Sequence, residues 1–229
     1  MRNRTAGLLS SHSVMLTDGL KASLDDAWRP ARRAGVLGNA STEELWEHTA
    51  GFTSAVCSAF SADCSTWNGH ILDAGTGAGV PGVLLACQLP MANFVLVDSS
   101  ERRLDHVRAA IRAAALGGRI QVEHARLDDL AHQPAHRARY EVVVARLLAE
   151  PPETAELILP FVAPGGVAVV SCRSDQADDW RRLGDRLDGV DTVMVAAQDS
   201  RSFVTVAVSG ELPPSYPRRA AVRARKPLQ

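Results

Sequence analysis

From His70 to Val208 short apolar runs alternate with segments of helical period, and this alternation sets the first expectation for the fold. His70–Ala74, Asn93–Asp98, Ile120–His124, Tyr140–Ala145 and Val167–Ser171 read as strands, bounded by turn residues and mostly too apolar to have a solvated face. Between them, Pro81–Leu89, Glu101–Leu116, Glu153–Phe161 and Gln176–Leu187 carry helical spacing, and a short helix over Leu127–Ala131 follows the third strand. Strands alternating with helices imply right-handed crossovers and a mostly parallel sheet covered on both faces. The last two runs, Thr192–Ala197 and Ser202–Val208, leave no room for a helix around Asp199 and Ser200, so they should pair antiparallel. The expected architecture is α/β, with a seven-stranded, mostly parallel sheet carrying one antiparallel strand at its end.

The first 66 or so residues show no strand pattern. Ser13–Trp28 and Thr42–Phe60 read as helices, with Arg29–Ala40, containing Pro30 and Gly35, as the connection. Ser41 followed by Glu44 has the spacing of a capping box. The chain therefore divides into an N-terminal helical cap (1–66), an α/β domain (67–212) and a basic C-terminal tail (213–229), with no repeat or low-complexity tract.

Composition narrows the function classes. The formal net charge of -1 creates no overall field toward nucleic acid, but Arg218, Arg219, Arg223, Arg225 and Lys226 form a basic stretch without acids. Such a stretch reads first as a solvated, flexible end and second as a phosphate-contacting arm. Lysine occurs only at Lys21 and Lys226, so no mechanism should depend on a buried core lysine. The cysteines Cys57, Cys64, Cys87 and Cys172 form no Cys-x-x-Cys pair. They read as small buried hydrophobes in a reducing compartment, with neither a metal site nor a disulfide framework expected. His132 and His136 fit a solvated loop better than a metal site. No apolar run approaches membrane-spanning length, and Arg2 and Arg4 precede no secretory apolar region, so a cytoplasmic location is expected.

The strongest chemical signal is His70-Ile-Leu-Asp-Ala-Gly-Thr-Gly-Ala-Gly-Val-Pro-Gly82, a buried strand running into Gly75, Gly77 and Gly79 before Pro81 opens a helix. A dinucleotide site would want a small residue where Val80 stands. Asp73 is placed to receive loop N–H groups or to act near a ligand's ammonium group. About 20 residues on, Asp98 ends a strand where a Rossmann-like fold directs an acid at ribose hydroxyls, its alternative role being a helix cap. Loop and acid together point to a nucleoside-bearing ligand. Nothing supports hydride transfer, since neither Tyr140 nor Tyr216 has a lysine four residues later.

These motifs resemble the bacterial small-subunit (16S) ribosomal RNA guanine-N7 methyltransferases, also called glucose-inhibited division protein B. The resemblance covers about residues 40–228. It rests on Gly75-Thr-Gly-Ala-Gly-Val-Pro-Gly82, Val97-Asp98-Ser99 with Arg102-Arg103, and Ala125-Arg126-Leu127-Asp128. It continues in Val144-Ala145-Arg146, Pro164-Gly165-Gly166 and the ending Tyr216-Pro-Arg-Arg through Lys226-Pro-Leu228. It implies a class I methyltransferase fold, S-adenosyl-L-methionine as cofactor and small-subunit ribosomal RNA as partner. It also implies Gly75 and Val80 on the methionine and ribose side, Leu127 and Asp128 at the adenine, and Arg146 near cofactor and substrate. From the residues alone, Asp128 could equally cap the short helix and Arg146 could equally be a structural ion pair. The chain departs from the family at Val36–Thr42, Gly51-Phe52 and Cys172-Arg173, all three read as lying on the substrate side. Guanine N7 offers an in-plane lone pair, so the expected enzyme aligns reactants and excludes water, with no catalytic base. A paralogue methylating a small molecule and a cofactor-binding protein without turnover stand as alternatives.

Overall fold

A computed structural model describes residues 14–198 and 201–228. The start of the first expected helix at Ser13, the Arg2/Arg4 segment and Asp199–Ser200 lie outside the described residues. The chain runs α1 (Asp18–Arg33), α2 (Thr42–Ala59), β1 (His70–Ala74), α3 (Gly82–Gln88), β2 (Asn93–Asp98), α4 (Glu101–Ala113), β3 (Ile120–His124) and α5 (Leu127–Leu130). It continues β4 (Tyr140–Arg146), α6 (Pro151–Ile158), β5 (Val162–Arg173), α7 (Ala177–Gly184), β6 (Val190–Gln198), β7 (Arg201–Val208) and α8 (Ala220–Arg225). The sheet order is β3-β2-β1-β4-β5-β7-β6. All neighbouring pairs are parallel except those of β7, which runs antiparallel to both β5 and β6. The antiparallel strand is thus the last in sequence but not the sheet edge.

Residue alternation builds two cores from one sheet. Ile71, Val142, Val144, Val167 and Val169 face α1 to α4, together with Leu24, Trp28, Phe52, Leu84 and Leu104. Leu72, Val143, Ala145, Ala168 and Val170 face the other way, toward Leu130, Ile158, Trp180 and Leu212. The N-terminal helices α1 and α2 therefore share one apolar cluster with α3 and α4.

Several expectations shift. The first helix continues through Pro30 to Arg33, because Pro30 and Asp26, whose carbonyl loses its helical partner, are both on the exposed face. The connection shrinks to the segment before Ser41, whose capping box with Glu44 is present in both directions. Pro81 sits at the N-cap of α3 rather than inside it.

The cysteine expectation is wrong for one pair. Cys57 and Cys64 form a disulfide, their Cα atoms 5.6 Å apart. The turn after α2, with Ser61 at φ 49° and Ala62 N–H donating to Cys57 O, folds the chain back beside the helix. A seven-residue spacing carries no motif, so sequence could not signal it. Cys172 is buried and free, as expected.

Two of the departures each contain a core residue, while Arg173 is exposed where β5 ends, just past the level of Arg146 on β4. Phe52 is fully buried, packed edge-on against Phe203 and against His48, and Cys172 lies in the opposite core. The solvated-tail reading fails as well. Glu156 of α6, buried at 1% exposure, accepts from Arg218 through its backbone N–H (2.6 Å), Nε (2.8 Å) and Nη2 (2.7 Å). Arg137 donates to the carbonyls of Leu212, Pro213 and Tyr216. Arg223 is itself buried. A buried carboxylate needs paired donors, and the C-terminal segment supplies them by docking.

Candidate cofactor and acceptor clefts

The strand order reverses between β1 and β4, and at the carboxyl ends of open α/β sheets that is where ligands bind. Two adjoining clefts lie there. The first, about 230 Å³, is lined by Gly75, Asp98, Leu127, Asp128, Glu153 and Arg223 among others. The second, about 390 Å³, is lined by Val36, Leu37, Gly77, Val80 and Arg146 among others. Gly75, Arg103 and Leu147 border both.

The glycine turn separates the clefts. Gly77 has φ 61°, and a Cβ there would meet nothing within 4 Å, so the backbone is bare toward open space. Gly79 serves packing instead, since a Cβ would lie 2.7 Å from Val83 Cγ2. The turn is tied from three sides. Thr76 N–H donates to Val97 O at 2.9 Å, Gly77 N–H to Asp98 Oδ2 at 2.9 Å, and the Trp28 indole N–H to Ala78 O at 2.8 Å.

Asp73 lies behind the turn, 1% exposed, and is not on the lining of either cleft; Gly79 is likewise behind it. Asp73 Oδ2 accepts from the Thr76 hydroxyl (2.6 Å) and Gly82 N–H (2.9 Å), while Oδ1 is buried without a hydrogen-bond partner. Burial pushes its pKa up to about 6, against the opposing pull of those two donors and the Arg146 charge.

Asp98 is nearly buried and already engaged. Oδ1 accepts from Ser100 N–H at 2.9 Å, and Oδ2 takes Gly77 N–H and Arg103 Nη1 at 3.2 Å. It therefore holds the turn and the start of α4 at once. Arg103 is half exposed, so a ligand hydroxyl can replace it. Asp128 is gripped by Arg126 through both oxygens at 3.0 Å and approached by Arg223 at 3.4 Å. Burial raises its pKa, but the Arg126 contact and then the Arg223 contact outweigh this and hold it below the ordinary value. Arg146 Nε donates to Val80 O at 3.3 Å, which fixes its head beside the second cleft.

Val36 and Leu37, from the Val36–Thr42 segment read as substrate-side, line the second cleft. Among the lining residues that no site reading assigned are Leu147, which carries no motif, and Arg223, which the sequence showed only as part of the basic ending. Leu147 has φ 53° and is 67% exposed, an apolar side chain held in the left-handed region at the meeting of the clefts.

Solved structures share the architecture. They include an O-methyltransferase from Bacillus cereus in complex with S-adenosylhomocysteine (TM-score 0.59, 16% identity, 85% of this chain and 93% of that one) and a putative O-methyltransferase from Klebsiella pneumoniae (TM-score 0.60, 12% identity, 86% and 92%). Fold and cleft position are those of the class I methyltransferase fold. A family model for rRNA small subunit methyltransferase G matches residues 29–198. Ribosomal RNA small subunit methyltransferase G of Rubrobacter xylanophilus is 35% identical over 86% of this chain and 78% of its own length, and that of Deinococcus deserti 35% over 70% and 69%. The chain belongs to the family of rRNA small subunit methyltransferase G.

Proposed function

We propose that the protein transfers a methyl group from S-adenosylmethionine to a guanine N7 of small-subunit ribosomal RNA, in the cytoplasm. The observation that carries the cofactor's placement is the bare Gly77 backbone on the second cleft beside Arg146, its N–H tied to Asp98 of the first cleft, with Gly75 bordering both. In this reading the nucleoside lies in the first cleft, between Leu127 and Leu157, with Asp128 at the purine edge and Asp98 toward the ribose. The methionine part crosses Gly75, Gly77 and Val80, and the acceptor base enters the second cleft beside Arg146 and Leu147. Asp73, behind the loop, supports Thr76 and Gly82, and Gly79 supports α3, so both act on the cofactor through the turn.

The cofactor supplies the electrophilic methyl group. The protein's work is alignment: Val80, Leu37 and Leu147 keep water from the line of transfer, and Arg146 orients polar groups of the base. Among the described residues no side chain on the second cleft is a histidine or carboxylate, which suits an acceptor nitrogen whose lone pair needs no deprotonation.

Two measurements test this. Calorimetry with S-adenosylhomocysteine should show binding that Gly77→Arg abolishes in a folded protein, because the new side chain fills the cleft. Transfer of labelled methyl groups should go to small-subunit RNA and yield 7-methylguanine. A folded protein that binds the cofactor but labels only small molecules removes the RNA reading.

A further inference from the structure

The C-terminal segment does more than cover the domain. After Leu212 the chain crosses α6, is fixed by Arg218 on Glu156 and by His132 Nε2 against Pro217 O (3.1 Å), and turns into α8. That helix delivers Arg223 to the lining of the first cleft, at 5% exposure. A guanidinium buried so deeply normally has every N–H satisfied. Here one Nη donates to Arg218 O and the other reaches Asp128 at 3.4 Å, a long approach, while Nε has no hydrogen bond and stands 3.6 Å from Glu153 Oε1. Asp128 is meanwhile occupied by Arg126, whose side chain is 61% exposed and can swing away, whereas Arg223 cannot.

We propose that Arg223 is a cofactor-contacting residue that, paired with Asp128, reads the adenine ring. This rests on the placement of the nucleoside in the first cleft. A carboxylate beside a guanidinium presents an acceptor next to a donor. The N6–H/N1 edge of adenine complements that pattern, whereas hypoxanthine, with O6 and N1–H, reverses it. The C-terminal segment is then part of the binding site, and its arginine, with Asp128, sets the purine specificity of the first cleft.

The experiment is calorimetry of the full-length protein with S-adenosylhomocysteine and with its inosine counterpart, S-inosylhomocysteine, for wild type, Arg223→Met, Arg223→Gln and Arg223→Lys. Wild type should prefer the adenine compound. Arg223→Met should lose about ten- to hundredfold in affinity for it and most of the preference, and Arg223→Lys should recover part of both. Circular dichroism and denaturation midpoints identify variants that fold; if Arg223→Met does not, Arg223→Gln, which retains polarity and length, takes its place with the same expected loss. A folded variant with unchanged affinity overturns the proposal, as does equal weakening for both compounds, which marks Arg223 as scaffold. If wild type binds neither compound, the placement of the cofactor itself fails.

Discussion

Asp73 shows at a single residue how the loop is made and what it costs. Its position before the glycines marks it as an acceptor for loop N–H groups, and Oδ2 does accept from Thr76 and Gly82. That its other oxygen is buried and unpartnered depends on helix packing, which no local pattern reveals. Its folded pKa is raised from 3.8 to about 6, so its stabilising contribution is complete below about pH 4 and is lost as pH rises through 6. A rise of that size corresponds to about 3 kcal/mol. Asp73→Asn keeps an acceptor for both donors and cannot ionise, so urea unfolding between pH 4 and 7 should show wild type losing stability that the variant retains. Parallel pH curves would mean that Asp73 is not the titrating group. Leu147 makes the companion case: its φ of 53° strains a leucine, and Leu147→Gly should leave stability unchanged or raise it by up to about 1 kcal/mol. In the proposed reaction the same change should raise KM for RNA and leave cofactor affinity alone. A destabilised variant with normal KM would reassign Leu147 to packing.

At the scale of elements, β1, β2 and β4 are legible to within a residue because parallel strands buried on both faces leave continuous apolar runs. What failed were boundaries decided by partners. α1 runs past Pro30, and β5 reaches from Val162 to Arg173, far beyond its apolar centre, since β4 and β7 pair with its ends. Within the site, the glycine turn, Asp98, Asp128 and Arg146 were readable because they end strands or follow them directly. Trp28 was not, because its indole reaches Ala78 from fifty residues away. Trp28→Phe preserves most of the packing and deletes that hydrogen bond, so about 1 kcal/mol of stability should go, together with several-fold affinity for S-adenosylhomocysteine. Loss of stability with unaltered affinity would confine Trp28 to scaffolding.

For the whole molecule, docking of the C-terminal segment changes where RNA phosphates can be met. Arg218 is committed to Glu156 and Arg223 is buried, which leaves Arg219, Arg225 and Lys226 exposed along one short stretch. Changing these three to glutamine should flatten the log–log salt dependence of RNA binding by about 0.7–0.9 for each phosphate that is no longer neutralised, with no change in cofactor affinity. An unchanged slope would place the RNA elsewhere on the surface.

The return of the chain across α6 has one more consequence, by thermodynamic reciprocity. If the segment shapes the cleft, whatever fills the cleft must hold the segment down by the same free energy. At a hundredfold excess of ligand over Kd, opening of the segment should become up to about a hundredfold rarer. Backbone amides of Val222, Arg223 and Lys226, which donate to Arg219 and Val222 carbonyls, should then exchange with deuterium correspondingly more slowly when S-adenosylhomocysteine is bound. Unaltered exchange there, with slowed exchange at Gly77, would show the two to be uncoupled. With coupling, a protease would find this end of the protein open chiefly when cofactor is scarce, and the protein's lifetime would follow the supply of its own methyl donor.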